Sequence, residues 1–242
     1  MKRNDTRFCF FLTLLASCAA LAAQAADLNT LTAAEKAGGW QLLFDGTDTN
    51  GWRAYAQTNF PEEGWVIEDG CLKTEPGGHG GDLVTTRQFT DFDLKFEWRI
   101  SPGGNSGVKY LVKEGKKGKA GVGFEYQVLD DEKNEDAQNG PNRRAGALYY
   151  LIAPNDSKHL KPVGEFNQGE IIVRGNHVEH WLNGAKIVEC ELGSPELKEA
   201  IARSKFAKIN WFGQKRPTVI LLQDHGDTVW FRNLKIKELS PE

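Results

Sequence analysis

Asp91-Phe92-Asp93-Leu94-Lys95-Phe96-Glu97-Trp98-Arg99-Ile100 alternates without a break. Phe92, Leu94, Phe96, Trp98 and Ile100 fall on one face, and Asp93, Lys95, Glu97 and Arg99 on the other. A period of two belongs to a strand, whose successive side chains point to opposite sides. Shorter versions follow at Val108-Lys109-Tyr110-Leu111-Val112 and Phe124-Glu125-Tyr126-Gln127-Val128. Downstream, Gly169 to Gly175 leads into His177-Val178-Glu179-His180-Trp181-Leu182, then Asn183-Gly184, then Lys186-Ile187-Val188. Asn-Gly between alternating runs marks a hairpin, because both residues tolerate the positive φ of a type I′ turn. With no internal repeat and no interdomain linker, the pattern predicts a single all-β domain, an antiparallel two-sheet sandwich.

Two helices punctuate the strands. One is expected within Leu31 to Gly38; the other starts at a Ser194 cap with Pro195 in its first turn. Lys113 to Gly121 and Asp130 to Arg144 read as solvated loops, the second long enough to be a functional lid or a disordered insert.

The 242 residues are 40% hydrophobic and 26% charged, enough for one substantial core. A formal net charge of −3 with no basic stripe argues against nucleic acid as a partner. Lys2, Arg3 and Arg7 precede an apolar run, and Ala23-Gln24-Ala25 supplies a small-x-small cleavage pattern. Residues 1–25 are therefore expected to be a signal peptide, and 26–242 the exported, periplasmic domain. A second reading stays open: Leu15-Ala16-Ser17-Cys18 fits a lipoprotein box, which would leave a lipid anchor on Cys18. No later segment approaches the ~20 apolar residues of a membrane span. Cys71 and Cys190 are left as either a disulfide or two buried thiols.

Strand parity places Glu97, Arg99, Lys109, Glu125 and Gln127 on outward faces, where they are expected to form one polar floor. Pro102-Gly103-Gly104 and Asn105-Ser106-Gly107 add a loop rich in hydrogen-bonding groups, as sugar sites are. Glu125-x-Gln127-x-x-Asp130 resembles the paired acids of sandwich glycosidases, but Gln127 interrupts the pair that ordinary two-acid hydrolysis requires. His79 lies in Gly77-Gly78-His79-Gly80-Gly81, which lacks the Gly-Lys-Ser/Thr ending of a phosphate loop. His159 and His177 read as surface residues, and His180 as a satisfied core or rim histidine. His225 follows an apolar strand and precedes Gly226, so it can protrude at a sheet end and transfer protons near neutral pH. Arg232 is expected to pair with a carboxylate. The chain holds no His-Glu-x-x-His or Cys-x-x-Cys, so a divalent ion would need ligands from several strands.

Several short motifs occur in a distinctive order. Trp40-Gln41-Leu42-Leu43-Phe44-Asp45-Gly46 and Gly51-Trp52 come first, then Glu97-Trp98-Arg99 and Gly104-Asn105-Ser106-Gly107. Glu125-Tyr126-Gln127-Val128-Leu129-Asp130, Gly146-Ala147-Leu148-Tyr149 and His180-Trp181-Leu182-Asn183-Gly184 follow. Leu222-Gln223-Asp224-His225-Gly226 with Phe231-Arg232-Asn233 closes the set. In this order, over residues 38 to 240, the chain resembles the 3-keto-disaccharide hydrolase family of exported bacterial proteins. It departs at Phe166, where that family usually has tryptophan, and at Thr218-Val219-Ile220, which replaces a glycine-containing strand.

The resemblance implies a concanavalin-A-like jelly roll acting on 3-keto-disaccharides or 3-keto-glucosides. It also makes sense of the missing acid pair, because a C3 ketone acidifies the C2 hydrogen and opens an elimination route. Under that chemistry His225 and Glu125 serve as base and acid in one order or the other. Lys109 and Arg99 stabilise the enolate, with Glu97 orienting Arg99. Asn105, Ser106, Gln127, Gln223, Asp224 and His79 are expected to hold the sugar, and a divalent ion could replace the cations. The rival class is a non-catalytic carbohydrate-binding module of the same fold.

Overall fold

In the computed structural model, which describes residues 28–240, the decisive alternation forms the sixth strand among those residues. The leader, its cleavage site and Cys18 lie outside the described residues. The first strands are β1 (Trp40–Leu42), β2 (Trp52–Ala54), β3 (Trp65–Glu68), β4 (Cys71–Thr74) and β5 (Leu83–Thr85). The long central ones are β6 (Phe92–Ile100), β7 (Asn105–Lys113) and β8 (Val122–Leu129). The rest are β9 (Asn167–Arg174), β10 (His177–Leu182), β11 (Ala185–Glu191), β12 (Leu221–Leu222) and β13 (Val229–Glu238).

One sheet runs β11-β10-β9-β6-β13-β4-β3 with β1 also on β13, and the other runs β2-β5-β12-β7-β8. The paired strands are antiparallel, an arrangement that allows one face of each sheet to stay solvated. Phe92, Leu94, Phe96 and Trp98 from the larger sheet meet Val108, Tyr110, Phe124, Tyr126 and Leu222 from the smaller. Edge-to-face rings fix the spacing of the layers, with Phe96 and Tyr126 centroids 5.3 Å apart. The jelly-roll sandwich is thus two sheets joined by one apolar core.

Both helices form: α1 (Ala33–Ala37) carries a Thr32–Glu35 capping box, and α2 (Pro195–Ala202) is capped by Ser194. The β10–β11 turn has φ of 50° at Asn183 and 84° at Gly184, the two positive values of its type. The long loop differs from expectation. Residues 135–139 and 141–143 form 3₁₀ turns, and the buried Asp130 carboxylate accepts N–H bonds from Gly103, Glu132 and Lys133. Its polar side chains are spent on internal bonds, which a hydropathy reading cannot distinguish from solvation. Cys71 and Cys190 are free thiols, the first buried and the second half-buried.

His180 is fully buried and belongs to the core. Its Nδ1 lies 3.0 Å from the Gly146 carbonyl, which can only accept, so Nδ1 carries the proton. Nε2 then accepts from the Tyr110 hydroxyl at 2.8 Å. Burial pushes the imidazole pKa from 6.5 down to about 4. A depressed folded-state value means stability present above pH 6.5 and lost as pH falls toward 4. The loss reaches about 3 kcal/mol. Denaturant midpoints measured at pH 7 and pH 4.5 for wild type and His180→Gln should converge on acidification. A constant gap would show that His180 does not titrate this way.

Candidate active site

The outward face of the smaller sheet carries a buried ion pair. In the β7–β8 register Lys109 stands directly opposite Glu125 and Gly107 opposite Gln127. Lys109 Nζ lies 3.4 Å from Glu125 Oε2, with only 6% and 8% of the two side chains exposed. Lys109 also donates to the Gly121 carbonyl at 3.3 Å. A Cβ at Gly107 would come within 2.7 Å of Glu125 Oε1, so the bare glycine provides the seat for the carboxylate. Burial raises the Glu125 pKa, outweighing the opposing pull of Lys109 and Lys205. A carboxyl lifted in this way is a better proton acceptor than an ordinary one.

Glu125 lies in a cavity of about 220 Å³ shared with Asn105, Lys109, Gln127, Tyr149, Lys205, Phe206, Gln223 and His225. Lys205, which follows α2, holds its ammonium 4.5 Å from the Tyr149 ring centroid and 5.2 Å from that of Phe206. Burial lowers its pKa, against the attraction of Glu125. Tyr149 donates to Asp136 Oδ2 at 2.7 Å, and Arg143 bonds Asp136 Oδ1 at 3.0 Å. Burial, then the Asp136 hydrogen bond, raises the Tyr149 pKa and keeps the phenol protonated. Gln127 Oε1 and Gln223 Oε1 are buried with no protein partner. Native interiors seldom leave acceptors unpaired. Two of them on one small cavity form a seat for hydroxyl donors.

The approach to His225 is braced from both sides. Ser106 Oγ donates to the Gln223 carbonyl at 2.8 Å, and the Gln223 amide donates to Gly107 at 2.9 Å. Asp224 accepts from Gly226 through Oδ1 and from Gly81 through Oδ2, while its own amide donates to Asp82. Burial nevertheless raises the Asp224 pKa. Gly77 N–H donates to Gly226 at 2.9 Å, tying the glycine-rich loop to this turn. His225 itself is exposed and borders the cavity.

Residues 39–237 match the model of the 3-keto-alpha-glucoside-1,2-lyase-like domain, the 3-keto-disaccharide hydrolase family. The chain belongs to that family. A Bacteroides thetaiotaomicron protein named 3-keto-disaccharide hydrolase is 36% identical over 245 residues, covering 89% of this chain and 84% of its own. A crystal structure from Parabacteroides distasonis, provisionally named a glycosyl hydrolase, superposes with a TM-score of 0.79 at 34% identity. It covers 88% of this chain and 100% of its own. A second structure from that organism, named in the same way, gives 0.60 at 28% identity, over 83% and 99% of the two chains.

For a 3-keto-disaccharide hydrolase fold, then, the structure gathers His225, Glu125, Lys109, Asn105, Gln127 and Gln223 at one cavity. His79 lies in an adjoining depression. Ser106 shares inward parity with Val108, is fully buried and serves the turn rather than the cavity. Asp224 has both carboxylate oxygens occupied by backbone donors. Glu97 and Arg99 require a correction. They do face outward, but β6 belongs to the larger sheet, so they look out from the opposite side of the sandwich. Glu97 binds Arg232 at 2.8 Å, the carboxylate expected for that arginine, and does not orient Arg99. Arg99 stacks 4.1 Å from the Trp230 centroid and 4.8 Å from that of Phe166. The single floor expected from parity is split between two sheets.

A cation-sized group of ligands among the described residues is His177, Glu179 and Glu189, on β10 and β11 in the larger sheet. Lys186 already bonds both of those carboxylates, at 3.1 and 2.8 Å. At the cavity, Glu125 faces the ammonium groups of Lys109 and Lys205, a set that suits an anion rather than a divalent ion.

Proposed function

We propose that the protein cleaves the glycosidic bond of 3-keto-disaccharides or 3-keto-glucosides at the cavity around Glu125. The observation that carries this reading is a buried carboxyl flanked by two ammonium groups and two unpartnered amide oxygens. Such a site offers a base, positive charge for an enolate, and acceptors for hydroxyls.

The Glu125 carboxylate takes the proton from C2, and the C–H electron pair forms the C2–C3 enolate on the C3 oxygen. Lys109 and Lys205 stabilise that oxygen, where negative charge develops. The enolate electrons then form the C1–C2 double bond and break the C1–O bond. His225 gives a proton to the leaving oxygen. Water next adds to C1, giving its proton to His225. The Glu125 carboxyl, exchanged with solvent, returns a proton to C2, so both groups are reset and the sum is hydrolysis. Gln127 and Gln223 accept from sugar hydroxyls through their open oxygens. His225 suits the leaving-group role because it stands at the cavity rim rather than on its floor.

Export to the periplasm rests on the leader pattern of Lys2, Arg3, Arg7 and Ala23-Gln24-Ala25, with lipidation at Cys18 as the alternative processing. Purified protein should consume a 3-keto-disaccharide, releasing two monosaccharides, and leave the unoxidised parent intact. Binding of the parent without consumption of the keto sugar would instead make it a carbohydrate-binding module.

A further inference from the structure

Resting on that reading, we propose that the depression on the far side of His225 is a subsite for the leaving sugar. It would distinguish disaccharides from glycosides with small aglycones. The catalytic cavity, at about 220 Å³, is smaller than the roughly 300–1,000 Å³ that drug-sized ligands occupy. It accommodates one ring of a disaccharide, and the second ring must leave it. A larger depression of about 660 Å³ adjoins it, and the two share Ala120, Gln223 and His225 as common borders. His225 therefore stands on the saddle between them, where a bond joining two rings would cross.

The two depressions differ in chemistry. The first holds Glu125, Lys109 and Lys205, the charges the reaction needs. The second is walled by the 77–82 loop and by Lys117 to Ala120, with Tyr55 also lining it. Its side chains fall into two groups. Asp82 and Asp224 are occupied internally: Asp82 accepts from Gly121 and Asp224 amides, and Asp224 accepts from Gly81 and Gly226. They hold the saddle in shape. Gln57, His79, Lys117 and Lys119 are exposed at its walls and present polar groups to whatever enters.

The glycine loop is also shaped for this placement. Gly78 has a φ of +69°, and a Cβ there would come within 3.1 Å of Gly226 Cα. Only a bare backbone lets the loop press against the His225 turn. An aglycone ring in this depression would lie beside the acid that protonates its oxygen.

The test is the Lys117→Ala/Lys119→Ala double variant, whose exposed positions leave the core untouched. Steady-state constants are compared for a 3-keto-disaccharide and for the methyl 3-keto-glucoside, with Gln127→Ala as the contrasting variant. The double variant should lose about tenfold in kcat/KM on the disaccharide, mainly through KM, as two lost hydrogen bonds predict. Its kcat/KM on the methyl glycoside should stay at the wild-type value. Gln127→Ala should weaken both substrates alike. Equal losses on both substrates, or none on either, from the double variant would overturn the subsite. If the wild-type protein consumes neither substrate, the keto-glycoside reading fails instead, and the subsite falls with it.

Discussion

Glu125→Gln should lower turnover of a 3-keto-disaccharide by about 10²–10⁴-fold, the usual contribution of a positioned acid or base. The substitution preserves the shape of a side chain that packs over Gly107, so the fold should persist. It leaves Lys109 facing a neutral amide oxygen in place of its carboxylate partner, so stability should fall by about 1–3 kcal/mol while the protein stays folded. Turnover is therefore compared on folded protein. Arg99→Gln and Glu97→Gln provide the internal contrast, because both residues face out from the larger sheet. Their turnover should match wild type. Near-normal turnover in Glu125→Gln, or a large loss in Arg99→Gln, would move the chemistry to the other face.

Lys109→Met should both inactivate and destabilise. Lys109 and Glu125 form a pair with less than a tenth of each side chain exposed. Removing one partner of a buried pair leaves an uncompensated group and costs about 3–5 kcal/mol. The lower end is expected here, because Lys205 still attracts Glu125. The double variant Lys109→Met/Glu125→Met should recover most of that stability, since apolar residues of similar volume often replace a buried pair without loss. It should remain inactive. Denaturant unfolding beside turnover assays separates the two effects. A double variant as unstable as the single one would mean that the sheet depends on the pair itself.

The fold was legible from the alternation alone, since Phe92 to Ile100 and the Asn183-Gly184 turn act through local geometry. The membership of each strand in a sheet was not. Parity says that Glu97 and Lys109 both point outward, and says nothing about which layer each strand joins. β6 and β7 are consecutive, yet the chain crosses from one sheet to the other between them. Lys205 was missed for a related reason: it follows a helix, 80 positions after Glu125, and only the tertiary fold brings it to the cavity. Ser106 and Asp224 have the residue types of sugar ligands, but their hydrogen bonds go to backbone groups, of the His225 turn and, at Gly81, of the glycine-rich loop. Sequence shows the polar atom and not its partner.

The central claim is that bond cleavage proceeds through loss of the C2 proton. Running the reaction in deuterium oxide tests it most directly, with the released 3-keto sugar examined at early times, before free keto sugar exchanges by itself. One solvent deuterium is expected at C2 of the newly formed product, with none in the parent glycoside, and cleavage by Glu125→Gln should be slower by the same factor of about 10²–10⁴. Cleavage with the original C2 hydrogen retained would contradict that claim and make the enzyme a direct hydrolase.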